Sequence, residues 1–386
     1  MNTLQPTMRV VSRGALLVAI PALVLLILGV IFAPRAFLRA YLCGYVLWSA
    51  VPLGAAAILM THHLATGRWG RTLRPSLESA VATMPLLPIF FLPILIGARW
   101  LYPWADPSVV ASHPKLQHES VYLNLPFFAV RAVIYFVIWT AGAMFLARWS
   151  SQRDPGSKVP AHKLQSLCAL GLVVYAITIG FAAIDWLASL QPGWYSSIFG
   201  LYIMISQPLT ALSLLVMLVV TRARREDPAG PKEHQATRIP ASILHDFGNL
   251  LFMLIILHTY LSFSQFFVIW NGNLNGDTSW YVARGRGLWG AVATVIVIAD
   301  FALPFVLLLF RFMKRTPKLL VGIAVIIFSA RVIEAPWIVF PSFKITSALP
   351  FLLAVAAMIA LGGFWVAAFA RVWSTVPIAH IPPPED

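Results

Sequence analysis

Long apolar stretches recur along the chain, and the polar breaks between them alternate between basic ones and ones rich in aromatic residues, Asn, Gly and Pro. A helix needs ~20 apolar residues to cross a bilayer. Ten stretches meet that need, at about 14–33, 37–60, 78–100, 126–149, 165–189, 196–221, 246–270, 288–311, 319–340 and 347–370. The pattern predicts an all-α integral membrane protein with ten transmembrane helices. No connection is long enough to fold separately, so residues 1–386 read as a single polytopic domain. Several stretches are interrupted by proline: Pro85, Pro88 and Pro93 in the third, Pro304 in the eighth and Pro336 in the ninth. Each removes a backbone donor and bends its helix. Pro304 frees the carbonyl of Asp300 and Pro336 that of Val332; in lipid such carbonyls need protein or water partners, so these segments are expected to face a hydrated or protein interior.

Composition excludes an ordinary soluble domain: 59% of residues are hydrophobic and only 11% charged. A net charge of +14 would otherwise raise the question of nucleic acid. The distribution of the 28 Lys and Arg answers it: 19 fall on the side shared by both termini, seven on the other, and Arg131 and Arg331 lie within spans. Positive residues mark cytoplasmic loops, so both termini are expected in the cytoplasm, with lipid rather than nucleic acid as the contact. The basic connection TRARREDPAGPKEHQATRIP, 221–240, is a topology signal first and a lipid-headgroup contact second. The first stretch follows Arg9 and Arg13 as a secretory signal would, but its apolar run exceeds the ~7–15 residues of a signal core and no small-x-small site ends it. It is expected to be a retained helix. Cys43 and Cys168 fall near opposite membrane faces, too far apart for a disulfide.

The two long outer connections, 101–125 and 271–287, are expected to be ordered and to offer a docking surface. Trp100, Trp104, Trp194, Trp270 and Trp280 are expected to form an interfacial belt.

Ionisable residues inside the apolar stretches carry the candidate chemistry, since each costs a few kcal/mol to insert and such groups face the bundle interior. Glu78 and Asp246 fall near the cytoplasmic ends of their helices, Asp300 and His258 nearer the middle, Arg331 and Glu334 in the outer half, and Arg131 and Asp185 near the outer ends. By height they form a ladder across the bilayer. Arg331 and Glu334 are three residues apart and share a helical face. They, like Arg131 and Asp185, read either as a packing ion pair or as part of a functional site. Asp300 and His258 have no opposite charge on their own helices; they suit either proton exchange or a hydrogen-bonded core role. His258, Ser262 and Gln265 follow helical spacing and form a polar stripe, which could hold water or join helices. His258 has no histidine facing it at its depth, so a b-type haem is not expected.

In order along the chain, HHLATGRWG, LPILIGARWLYPW, NLPFFAVRAVIYFVIW, FAAIDWLASLQPGWYSSIFG, HDFGNLL, FSQFFVIWNGNL and SWYVARGRG resemble the shorter of two related membrane subunits of bacterial alternative complex III. That complex is a quinol:electron acceptor oxidoreductase, and the subunit belongs to the NrfD-like, polysulfide-reductase-type family. The resemblance runs from about Arg35 to Phe343. It implies two up-down four-helix bundles, helices 2–5 and 6–9, with helices 1 and 10 flanking, in the bacterial inner membrane. Implied partners are a longer homologous membrane subunit, a multihaem cytochrome c, an iron–sulfur subunit and small membrane subunits. Haem c and iron–sulfur clusters would sit on those partners, no metal on this chain, and menaquinone or ubiquinone would be the quinone of the complex. The positions that match the family's proton route are Asp246, His258, Asp300, Arg331, Glu334 and Asp185, with Glu78, Arg131, Ser262 and Gln265 as weaker candidates. The rival readings are a secondary transporter or channel and an inert assembly anchor.

Overall fold

The computed structural model describes residues 4–151, 161–226 and 239–375, and every regular element among them is helical. Arg153, Lys158, Lys232 and Arg238, four of the basic residues counted on the side of the termini, lie outside the described residues. The first half holds α1 (Leu4–Phe32), α2 (Pro34–Leu64), α3 (Arg68–Val81), α4 (Leu86–Ile96), the short α5 (Ala98–Leu101), α6 (Pro107–Ser112) and α7 (Pro114–Glu119), then α8 (Leu125–Ser151) and α9 (Ala161–Trp186). The second holds α10 (Phe199–Glu226), α11 (Ala241–Gly272), α12 (Asn275–Arg284), α13 (Gly287–Ile296), a π-helical segment (Val297–Ala302), α14 (Leu303–Leu309), α15 (Arg311–Arg315), α16 (Pro317–Val339) and α17 (Leu349–Thr375). Among the described residues nine helices are long and apolar enough to cross a membrane, and α3 with α4 supplies a tenth if that bent pair counts as one span.

Helix boundaries follow the local chemistry. Proline opens α2, α6, α7 and α16, where its missing N–H is not needed. Asn273, with φ of 47°, closes α11 in the left-handed conformation that Asn tolerates. The third stretch, expected as one helix over 78–100, is broken instead: α3 ends at Val81 and α4 starts at Leu86, bent by 43°. Pro85 and Pro88 cannot donate to the preceding turn, so the ladder stops there. Trp365 Nε1 donates to Thr83 Oγ1 at 2.9 Å and holds the break against α17.

Burial ranks the helices. The apolar window of α2 is 89% buried and that of α10 72%, while those of α1 and of the span Gly287–Leu309 are 22%. α2 packs against α3, α9, α10 and α17; α10 packs against α2, α9, α11 and α16. The α2–α10 crossing is close because of Gly54: a β-carbon there would meet the Gln207 carbonyl oxygen at 2.2 Å. Large apolar side chains on α8, α9, α11 and α13 point outward, as a lipid-facing surface requires.

The outer connections are ordered into α5–α7 and α12. The belt expectation fails for three of its five tryptophans. Trp104, Trp194 and Trp280 are buried, and Trp194 stacks on Trp280 with ring centroids 4.2 Å apart. Trp100 and Trp270 remain exposed. The outer connections fold back over the helix ends, and that packing claims the rings before the membrane interface can.

Candidate functional site

Each of α10, α11, the π segment and α16 contributes to one buried polar cluster: Tyr202, His258, Asp300, and Arg331 with Glu334. Arg331 is the hub. Its Nη1 lies 2.5 Å from Glu334 Oε2 and 3.0 Å from His258 Nε2, and its Nη2 lies 2.8 Å from Asp300 Oδ2. His258 Nδ1 is 2.9 Å from the same Asp300 oxygen. Tyr202 donates its hydroxyl to Glu334 Oε1 and stacks on His258, centroids 4.9 Å apart. Asp300 and His258 have no opposite charge on their own helices, and Arg331 and Glu334 can pair on theirs. Three-dimensional packing joins them, because helices distant in sequence meet at one height. The polar groups lie on the one inward face each helix offers, and every member is at most 5% exposed.

Charge balance in the cluster depends on one base, two acids and an imidazole. Arginine can only donate, so His258 Nε2 accepts and the ring proton sits on Nδ1, facing Asp300. With a neutral imidazole, one guanidinium faces two carboxyls, and the group is neutral only when it holds one further proton. A net charge buried at this site would be costly. Asp300 Oδ1 and Arg331 Nε are buried without a hydrogen-bond partner, and His258 Nδ1 and Arg331 Nη2 approach Asp300 Oδ2 as close charge contacts without hydrogen-bond geometry. Asp300 also sits where the helix widens into its π turn, ahead of Pro304, the residue expected to release its carbonyl.

Outward from Tyr202 lies a cavity of about 20 Å³ whose lining includes Tyr202, Ser262, Gln265, Trp280 and Tyr281. That is room for one water. Gln265 Oε1 is buried there without a partner, so the stripe of His258, Ser262 and Gln265 runs from the cluster to this cavity.

Inward the path is interrupted. Asp246 is half-buried on the first turns of α11, twelve residues before His258, or about 18 Å at 1.5 Å per residue. Leu251 and Ile255 between them are fully buried, and Phe252 stacks on Phe305. Near that end Lys314 donates to Asn249 Oδ1 at 2.8 Å, and burial lowers the pKa of its ammonium. Glu78 pairs with Arg74 at 2.6 Å. The ladder is thus two separated polar groups with an apolar stretch between.

Asp185 belongs to neither. It takes a bidentate pair from Arg131, Nε to Oδ2 at 2.9 Å and Nη2 to Oδ1 at 2.8 Å, and a hydrogen bond from Tyr135 at 2.9 Å. Arg131 Nη1 donates to the Tyr122 carbonyl at 2.9 Å, and the guanidinium lies over the Tyr122 and Phe127 rings. Outside the spans, burial raises the Tyr122 phenol to about 12.

Two residues escaped the sequence reading. Tyr202 carried no charge to draw notice; its signal is that Tyr202, Ser206 and Thr210 recur at helical spacing on α10. Arg284 looked like an outer-loop charge, yet it is fully buried over the Trp280 ring, 3.1 Å from its centroid, donating to Ile338 O at 2.6 Å and Ser342 Oγ at 3.0 Å. Burial pushes its pKa down. No family model and no curated protein matches this chain.

Proposed function

We propose that this chain is an integral subunit of a respiratory quinol:electron acceptor oxidoreductase and that its Tyr202–His258–Asp300–Arg331–Glu334 cluster exchanges protons. The observation that carries the reading is the cluster itself. Two carboxyls share one guanidinium deep in an apolar bundle and need one more proton for neutrality, with a titratable imidazole between them. The complex comes from the sequence resemblance alone: a longer homologous membrane subunit, a multihaem cytochrome c, an iron–sulfur subunit and small membrane subunits, in the bacterial inner membrane; the cytoplasmic placement of both termini comes from the Lys and Arg distribution. The chain binds no metal in this reading, and quinone contact belongs to the complex.

Ten spans in two bundles fit the contacts of α2 with α4 and α9 and of α8 with α4 and α9, and those of α10 with α11 and α16 and of the π segment with α16. That topology counts the bent pair α3–α4 as one crossing, which keeps the two termini on one side.

Copurification decides the assembly: affinity capture of the full chain from its native membrane brings down c-type haem polypeptides, and recovery of the chain alone rejects the complex. Within the captured assembly, Asp300→Asn and Glu334→Gln lower proton movement linked to quinol turnover. Unchanged turnover and proton movement in an intact assembly identify an inert anchor instead. A secondary transporter draws on one feature, the helix interruptions at Ala82–Pro85 and at the π segment; solute uptake by vesicles holding only this chain would establish it.

A further inference from the structure

Around α8 and α9, at the inner ends, the packing opens into a cavity of about 380 Å³, within the range of small-molecule sites. Met60 of α2, Gly142 and Phe145 of α8, and Leu167 and Gly171 of α9 line it. The two glycines shape it: a β-carbon on Gly142 would meet nothing within 4 Å, and one on Gly171 would press on Met60 Sδ at 2.6 Å. The ring N–H and phenol in its walls are engaged elsewhere. Trp139 Nε1 donates to Thr178 Oγ1 at 2.9 Å, and Tyr175 donates to Gln207 Oε1 at 2.7 Å. A polar ligand therefore finds little to bond. Phe145 and Leu170, 59% and 60% exposed, mark an opening toward the apolar surroundings.

The inner rim differs in character. His162 and Lys163 are exposed on the turn of α9 that also carries the cavity-lining Leu164. α3, which packs against α8, adds exposed Arg68 and Arg71, while its Glu78 is taken up by Arg74. A hydrocarbon chamber beneath a rim that is cationic among the described residues is the complement of one molecule: a lipid with an apolar chain and an anionic head. We infer that this cavity holds an acyl chain of an anionic phospholipid whose headgroup rests on the Lys163 rim. A quinone's isoprenoid tail fits the chamber less well, because its ring would need hydrogen-bond donors that these walls have already committed. The site is independent of the proton-exchanging cluster.

The test uses the full chain purified in mild detergent, with phosphatidylglycerol or phosphatidylcholine added back and adducts read by native mass spectrometry. Phosphatidylglycerol is expected to be retained in preference. Lys163→Gln, an exposed change that folding tolerates, is expected to cut that preference about fivefold, the weight of one interfacial cation. Gly142→Phe fills the chamber and is expected to abolish the adduct, its fold checked by elution volume and helical content. No preference for phosphatidylglycerol, an adduct that survives Gly142→Phe in folded protein, or a quinone released from the purified chain in place of phospholipid would each overturn the inference.

Discussion

Two of the buried arginines, Arg131 and Arg331, lie within the long apolar helices, and they are not equivalent. Arg131 meets one carboxylate with both oxygens matched, and its third nitrogen and the Tyr135 hydroxyl complete the set. The pair is neutral and closed. Arg331 meets two carboxyls and an imidazole, leaves Asp300 Oδ1 and its own Nε without partners, and adjoins a π turn and a cavity the size of one water. Equal burial thus says little about role. What would separate a packing lock from the proton-exchanging site proposed here is stoichiometry: Arg131 holds one acid, whereas Arg331 is shared by two acids and an imidazole.

The largest expected effect breaks the closed pair. Asp185→Asn leaves the Arg131 guanidinium buried without its counter-charge and should cost about 3–5 kcal/mol, read as a lowered unfolding temperature in detergent. Asp300→Asn makes the same chemical change in the other cluster, yet Arg331 keeps Glu334 and the substitution removes the surplus acid. Its cost should be smaller, about 2–3 kcal/mol. It should also erase a pH-dependent carboxyl band in infrared difference spectra that Asp185→Asn leaves in place. Equal stability losses, or a band untouched by Asp300→Asn and Glu334→Gln alike, would remove the distinction between the sites.

The sequence made one of these sites legible and the other only in parts. Arg131 and Asp185 can be matched from their similar depths, and the helices are where hydrophobic length put them, except where the run of Pro85 and Pro88 split the third. The Arg331 cluster could not be assembled from spacing, because His258, Asp300 and Glu334 lie on three helices and only packing decides which faces meet. Depth was recoverable only coarsely, because His258 and Asp300 read as a rung apart from Arg331 and Glu334 yet touch them, and azimuth was not recoverable. The same blindness hid Arg284, which position alone assigned to the surface although α12 folds it under Trp280.

A matched pair of tyrosines sharpens the contrast at a smaller scale. Tyr135 and Tyr202 each give a hydroxyl to a buried carboxylate that an arginine also holds. Tyr135→Phe and Tyr202→Phe should therefore cost a similar amount, about 1.5 kcal/mol each, the low end for hydrogen bonds to charged groups. Only Tyr202→Phe should alter exchange. Tyr202 faces both Glu334 and the small cavity, so its loss should slow the response of the carboxyl band to a pH jump, while Tyr135→Phe leaves that rate unchanged. Slowing in both variants would mean that general loosening of the bundle, and not this hydroxyl, sets the rate.

Gln265 gives the smallest effect on stability and the cleanest reading of the route. Its Oε1 is buried without a partner, so replacing it with methionine, similar in length but apolar, removes an unsatisfied group as well as a polar one. The stability change should stay within about 1 kcal/mol of zero. The cavity that Gln265 shares with Tyr202 and Ser262 would nonetheless lose an acceptor for the one water it can hold, and a water needs two or more polar partners to stay. Exchange at the cluster should then slow in a variant as stable as the parent. If Gln265→Met exchanges at the parental rate, protons reach Glu334 by some way other than this cavity; the cluster's surplus acid would still stand, but its outer connection would have to be sought along α16 rather than along the stripe on α11.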